Sequence, residues 1–562
     1  MLKKILIVFV SIIVSAAFVQ GQTDYSFLSP LYKNLPFKMK TIPVPGFPDR
    51  KFNITKYGAK GEGQSLNTAA IQKAIDECSN SGGGKVIIPS GIWITGPLFL
   101  KNNVNLHLEQ GAHLQFSRDV SLYPIIESNW EGYDQYRCAS PIMGRNLKNI
   151  AITGKGIIDG AGEVWRPVKK FKLTASQWKD LTSSGGVLDL KGETWWPSKE
   201  ALEASVLVPK MKTEGRNLSK QDAERYKLFF RPVLLSLIDC EGILLDGVTF
   251  QNSPAWNLHP LRCKNIIAVD VNVRNPWYSQ NGDGIDVESC ANTIIYNCRF
   301  DVGDDAICIK SGRDDEGRRR GMPAEKLIIS GCVVYHGHGG FTVGSEMSGG
   351  VRNIKVDNCN FIGTDVGLRF KSARGRGGIV ENIWVSNIYM KDIPAEAVSF
   401  NLLYGGVAPM EDKSASDKNK ELKEVKADET TPQFRNISFT NIICDGAKDA
   451  ILIQGLPEMP VAGISFDKVF FKSDRGISVY NAFNISLKRM NIIAASPLLL
   501  INQTAGVAID GIDAAEGVSK IIRIEGEKSR NISVKGKNAG LVVARVEFAP
   551  GASKDALRIM KE

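Results

Sequence analysis

The sequence repeats itself. The segments LLDGVTF, IAVDVNV, IIYNCRF, IISGCVV, KVDNCNF, WVSNIYM, FTNIIC and FDKVFF align on one apolar column: Val248, Val271, Cys298, Cys332, Cys359, Ile388, Ile442 and Val469. Two residues on runs a second column: Phe250, Val273, Phe300, Val334, Phe361, Met390, Cys444 and Phe471. The steps are 23, 27, 34, 27, 29, 54 and 27 residues, and 54 is about twice 27. A second short strand recurs at the same step (GIDV, AICI, GFTV, GLRF, AVSF, AILI, GISV). Its inward columns start at Ile285 and Val287 and end at Ile477 and Val479. Apolarity of period two marks strands, and a unit too short to bury its own apolar face must stack on copies of itself. The pattern predicts an all-β solenoid, a right-handed single-stranded parallel β-helix in which each coil covers the next. Leucine-rich repeats share the step but need a Leu scaffold, and propeller blades need longer, four-stranded units.

The residue before the first column is often polar, as at Asp270, Asn297, Asn358, Asn387 and Asn441, and is expected to stack as a ladder at a bend. Ten cysteines suggest disulfides if the chain is exported. Cys298, Cys332 and Cys359 share one repeat position, however, and are expected to be stacked, buried and reduced. With 43% hydrophobic and 23% charged residues the 562-residue chain can bury a large core, which excludes a mainly disordered protein. Its 54 glycines follow no G-X-Y period, which excludes collagen. The net charge of +10 suits a polyanion, nucleic acid or acidic polysaccharide.

Residues 1–21 read as an export signal. Lys3 and Lys4 precede an apolar run from Ile5 to Val19, and Val19-Gln20-Gly21 offers a cleavage site. The run is shorter than the roughly 20 residues needed to span a bilayer, and no longer apolar run follows, so no membrane span is expected. An extension (22–50) precedes the β-helix (51–562). Residues 163–230 and 408–430 are polar insertions, either decoration or walls around a cleft. Ala69, Ile71, Ala74 and Ile75 have helical spacing, which predicts a helix over Thr68 to Cys78 that caps the solenoid.

Four polar motifs interrupt the second strand: Asn281-Gly-Asp-Gly-Ile-Asp286, Gly303-Asp-Asp305, Gly337-His-Gly339 and Arg369-Phe-Lys371. Asp283 and Asp305 each lie two residues before an inward anchor, and Asp304 and His338 lie three before theirs. Coils stack about 4.8 Å apart, so Asp283, Asp304, Asp305, His338, Arg369 and Lys371 should form one patch. Asp304 and Asp305 cannot both point outward from a flat strand, and Gly303 suggests a turn. Clustered carboxylates disfavour ionisation of one another, which would keep one protonated as an acid while another stays a base. Glycoside hydrolysis uses that division. Arg369 and Lys371 would pair with a substrate carboxylate, and His338 would tune the carboxylates or hold a sugar. His259 is read as structural.

NGDGID, GDD, GHG and RFK closely resemble the four signature motifs of glycoside hydrolase family 28, the polygalacturonases. The resemblance extends to FNITKYGAKGEGQSLNTAAIQKAID and NSPAWNLHPL, and spans roughly residues 50–500. It implies a pectin-lyase-like β-helix and inverting hydrolysis of α-linked galacturonic acid in pectin or galacturonate oligosaccharides, with no cofactor and no metal. By motif, Asp304 would be the general acid and Asp283 and Asp305 would activate water. His338 would support the acid, and Arg369, Lys371 and Asn281 would bind the substrate. Gly282 departs from the family, which usually has Thr there. GGFTVGSEMSGG after His338 resembles bacterial exo-acting members, so terminal galacturonic acid is the expected product, with endo action as the alternative and homogalacturonan or rhamnogalacturonan fragments as the substrate.

Two other readings compete. A polysaccharide lyase would hold Ca²⁺ on Asp304 and Asp305 and use an Arg or Lys as base. A non-catalytic glycan-binding solenoid would have no need of intact motifs. Nucleic acid is not expected as a partner: Arg318-Arg-Arg320 is a single short run.

Overall fold

The computed structural model describes residues 24–216, 218–405, 422–514 and 518–560. The expected export signal and residues 408–421 of the second insertion lie outside the described residues.

Each coil is built from three strands. Lys264–Val269, Asn272–Arg274 and Ile285–Glu288 form one, and each pairs in parallel with its counterpart in the next: Ala291–Tyr296, Arg299–Asp301 and Ile307–Lys310. The columns found in sequence are the registers of the fold. Val273 pairs with Phe300, Phe300 with Val334, Val334 with Phe361 and Phe361 with Met390. The other strand runs Ile285, Ile307, Phe341, Leu368, Val398, Ile451, Ile477. All of these side chains are buried. Phe370 stacks on Phe400 and Phe439 on Phe466, each at 4.5 Å between centroids and within 8° of parallel, because in-register coils place like rings one above another. The result is the pectin-lyase-like parallel β-helix.

A third ladder was not separated by the two-strand reading: Ile243, Ile266, Thr293, Leu327, Ile354, Ile383, Ile437, Ile464. Asparagines precede it at 265, 292, 353, 382 and 436, all in the left-handed region, as are Asp270, Asn297, Asn358, Asn387 and Asn441 at the other bend. Asn and Asp adopt that region more readily than other side chains with a β-carbon. The expected ladder forms in part. Asn297 donates to Asp270 and Asn441 to Asn387, but Asn358 bonds its neighbour Asp357, which also takes Asn387.

All ten cysteines are buried and unpaired, so the disulfides that export suggests are not present. Cys298, Cys332 and Cys359 are stacked as expected, and Cys240, Cys263 and Cys290 make a second stack, with backbone N–H groups on the next sulfur at 3.4 and 3.3 Å. Parallel coils line these thiols up as small apolar fillers.

The capping helix is Thr68–Asn80, with Ile71, Ala74, Ile75 and Cys78 buried against the first coils. Ala69 is exposed instead of inward, and Ala70 packs in its place, because the face turns through Cys78. Residues 24–50 form a strap. Leu28 and Ile42 pack on Ala151, Leu244, Ile267, Ile294 and Ile328, outward residues of five successive coils. The first insertion leaves after Ile157–Asp159 and returns at Leu235–Ile238. It packs on the hairpin Ile125–Trp130/Tyr133–Cys138 through Trp165, Val208, Tyr226 and Phe230. No described helix is long and apolar enough to cross a membrane.

Candidate active site

The four motifs land on successive coils of one face. The registers Asp286 to Cys308, Cys308 to Thr342 and Thr342 to Arg369 carry that face along the solenoid. The backbone bends at Gly303 and Asp304, so the two aspartate side chains diverge. The Asp304 side chain is 16% exposed toward the cleft and Asp305 is 1% exposed.

Asp305 is the hub. Its Oδ1 accepts from Arg369 Nη1 at 3.0 Å and Thr342 Oγ1 at 3.1 Å, and its Oδ2 accepts from Lys371 Nζ at 2.7 Å. Burial opposes its charge, but Lys371 and Arg369 outweigh burial and hold the carboxyl below its usual range. The two cations expected to meet the substrate are therefore already seated on a carboxylate. Both also face the Tyr404 ring, Lys371 at 4.9 Å and Arg369 at 5.5 Å from its centroid.

Asp304 accepts the backbone N–H of Asp305 at 2.9 Å and lies 3.2 Å from His338 Nδ1. Burial works against its charge too, and His338, Lys371 and Lys172 outweigh it, so the carboxyl sits below its usual range. Asp283 differs. Its Oδ1 has no hydrogen-bond partner, and burial together with Asp286 and Asp304 pushes the carboxyl well above its usual range. The free protein thus keeps Asp305 and Asp304 ionised and favours a proton on Asp283. Asp286 is buried with both oxygens unpartnered and Lys310 at 3.6 Å, and burial pushes it up as well.

Asp283, Asp305 and Cys308 bring ligand atoms within 4.8 Å of one another. They do not suit Ca²⁺, which takes six to eight oxygens. One donor is a thiol, and the Asp305 oxygens are engaged by Lys371 and Arg369. The Ca²⁺ placement on Asp304 and Asp305 fails for the same reason, since both carboxylates face cations.

His259 is structural as read. It is buried, with Nε2 2.9 Å from Glu288 Oε2 and its ring edge-on to Trp256. Asn281 accepts from Arg231 Nη2 at 2.8 Å and lines a cavity of about 1220 Å³. The insertion and the hairpin line this cavity. Its lining includes Arg137, Arg231, Arg262 and Arg313. Burial, Arg137 and Arg166 push the Arg231 guanidinium down to about 9.

Sequence reasoning missed three residues here. Asp365 lies before the strand Val366–Lys371, with Oδ2 3.7 Å from His338 Nε2. Tyr404 could have been found, because it lies three residues past the strand that pairs with RFK. Lys172 comes from the insertion and reaches His338 Nε2 at 3.3 Å, and nothing in its local sequence announces this.

Carboxylates with opposed proton affinities on one solenoid face suit acid–base chemistry. Comparison with known proteins gives the family. The profile of glycosyl hydrolases family 28 matches residues 167–473. A probable polygalacturonase of Vitis vinifera is 30% identical over 428 residues, 74% of this chain and 73% of its own length. An exo-poly-alpha-D-galacturonosidase of Dickeya chrysanthemi is 32% identical over 374 residues, 65% of this chain and 58% of its own. Among solved structures, the hyperthermoactive exopolygalacturonase of Thermotoga maritima superposes with a TM-score of 0.65 at 29% identity, over 81% of this chain and 93% of its own. The chain belongs to glycosyl hydrolases family 28 and is a glycoside hydrolase of the polygalacturonase family.

Proposed function

We propose that this enzyme is exported and removes terminal galacturonic acid from pectin or galacturonate oligosaccharides by inverting hydrolysis. The observation that carries the reading is the cluster of Asp304, Asp283 and Asp305 with Arg369 and Lys371 within it, beside a cavity lined by guanidinium groups. Buried cations that repel one another favour an anion between them, and galacturonate offers a carboxylate on every sugar. The insertion walls that cavity, which suits a chain end better than a polymer passing through. Similarity to a Dickeya protein named for exo action agrees with this. The Lys3–Gly21 segment supports export.

Asp304 gives the leaving oxygen its proton. In the free enzyme His338 holds it as a carboxylate. Galacturonate entering beside it brings negative charge and excludes water, and both raise a carboxyl's proton affinity. Asp305, kept ionised by Lys371 and Arg369, takes the proton of the attacking water, and its neighbour Asp283, which favours a proton in the free protein, helps hold that water. The same two cations share their remaining donors with the sugar carboxylate.

The test is a timed product profile on polygalacturonic acid with EDTA present, read by chromatography, at 235 nm and by proton NMR for anomeric configuration. Saturated galacturonic acid of inverted configuration from the first time point is expected. Oligomers of mixed length would overturn the exo assignment, and absorbing unsaturated products would overturn hydrolysis. Export is checked by N-terminal sequencing of the protein recovered outside the cytoplasm.

A further inference from the structure

We propose that Lys172, delivered by the insertion, is a positioning residue that fixes the proton of His338 on Nδ1, where it faces Asp304. The Lys172 side chain is buried at the edge of the cleft, with Nζ 3.3 Å from His338 Nε2, 3.4 Å from the Gly303 carbonyl and 3.5 Å from the Trp277 carbonyl. An ammonium has three N–H donors and no lone pair. An Nε2 that meets it must therefore present its own lone pair, and the single proton of a neutral imidazole is left on Nδ1. That nitrogen lies 3.2 Å from Asp304 Oδ1, so the ring donates to the carboxylate.

Asp365 competes for the opposite outcome. Its Oδ2 lies 3.7 Å from the same Nε2 and would accept a proton there. Were Nε2 protonated, Nδ1 would turn a lone pair toward a carboxylate lone pair, and the hydrogen bond that steadies Asp304 would be lost. The charged groups around the ring come from three elements: Asp304 from the bend at Gly303, Asp365 from the turn before Val366–Lys371, and Lys172 from the insertion. Lys371 and Arg369 act on the two carboxylates from the next coil. Among these, Lys172 is the group that selects the ring's tautomer. The wall of the cavity and the proton chemistry are thereby joined through one side chain.

The tautomer can be read without substrate, so this proposal can fail independently of the proposed function on which its kinetic consequence rests. The chain has only five histidines, so ¹⁵N-histidine labelling of the full protein gives a countable spectrum, in which His338→Gln identifies the ring. The wild type is expected to show neutral His338 protonated at Nδ1, Lys172→Arg to keep that pattern, and Lys172→Met to move the proton to Nε2. A wild-type ring protonated at Nε2, a ring that stays imidazolium across the working pH range, or an unchanged Lys172→Met spectrum would each overturn the proposal. Should Lys172→Met not fold, Asp365→Asn serves. It removes the competing acceptor and must leave the proton on Nδ1, and any move to Nε2 rejects the idea.

In kinetics, Lys172→Met should lower kcat by roughly 10- to 100-fold, part of the 10²–10⁴ that acid catalysis contributes, with KM within about 3-fold. Its pH profile should move to higher pH, because removing a cation raises the proton affinity of Asp304. Lys172→Arg should restore both. A rise in KM and a fall in Tm with the pH profile unmoved would mean that Lys172 only props the insertion.

Discussion

Lys371 donates to Oδ2 of Asp305 at 2.7 Å, so one cation of the cluster is bonded to a buried carboxylate before any substrate arrives. Arg369 holds the other oxygen of the same carboxylate. The pair keeps Asp305 ionised, and under the proposed function it also places positive charge beside the bound acidic sugar.

Removing Lys371 should therefore show in the pH dependence before it shows in binding. Asp305 is held low because Lys371 and Arg369 outweigh its burial. In Lys371→Met the carboxyl protonates at a higher pH, and the acidic limb of kcat/KM moves upward. An acidic limb that stays in place while only KM rises would show that Lys371 serves the substrate alone.

Asp304→Asn should reduce turnover of galacturonate oligosaccharides by about 10²–10⁴ with the fold unchanged, since it removes the proton donor and no core contact. An aryl galacturonide whose leaving group needs no proton should be far less affected. If Asp283→Asn shows that selective rescue instead, the roles of the two aspartates are exchanged, as the higher proton affinity of Asp283 in the free protein would allow.

Asp283→Asn should also stabilise the protein. Burial raises the folded carboxyl above its unfolded value, so its contribution is full below the unfolded value and is lost as pH rises through the folded one. The variant carries no charge there, and its Tm should exceed that of the wild type by roughly 1–4 °C. That gap should be wider at pH 8 than at pH 4. Equal gaps at both values would contradict the buried-charge explanation.

Chelation should leave activity unchanged. The only cluster of metal-type donors found among the described residues is Asp283, Asp305 and Cys308, and cations already engage the Asp305 oxygens. An EDTA-treated sample that loses activity and regains it with Ca²⁺ would contradict this.

The family's threonine should not fit at position 282. A β-carbon on Gly282 would lie 1.9 Å from the Ser279 hydroxyl oxygen, which is buried. Gly282→Thr should cost about 1–3 kcal/mol by overpacking, and Ser279→Gly in the same chain should return most of it. Equal stability of the single and double variants in urea titration would disprove the coupling.

The solenoid was legible because stacking turns a local property into a long-range one. Phe300 and Val334 are 34 residues apart yet adjacent, and their shared period-two apolarity predicted it. The third ladder was hidden because its strands carry Asn-Ile pairs such as Asn265-Ile266 at their second and third positions, where a turn-forming residue masks the alternation. Ala69 misled because alanine fits either face of a helix. The positions of Arg369 and Lys371 followed from register, but their bonds to Asp305 did not, since direction along a coil says nothing of which carboxylate a long side chain reaches. Lys172 was beyond reach: it meets a ring 166 residues away by a path the insertion alone determines.

A stack of coils can fray from its ends one coil at a time, because each touches only its neighbours. The strap over residues 24–50 changes that arithmetic. By covering Ala151, Leu244, Ile267, Ile294 and Ile328 together, it makes five coils share one outcome. Peeling any of them strips apolar surface from the strap over all the rest. The five coils under the strap should therefore melt as a unit, while the coils beyond it unzip.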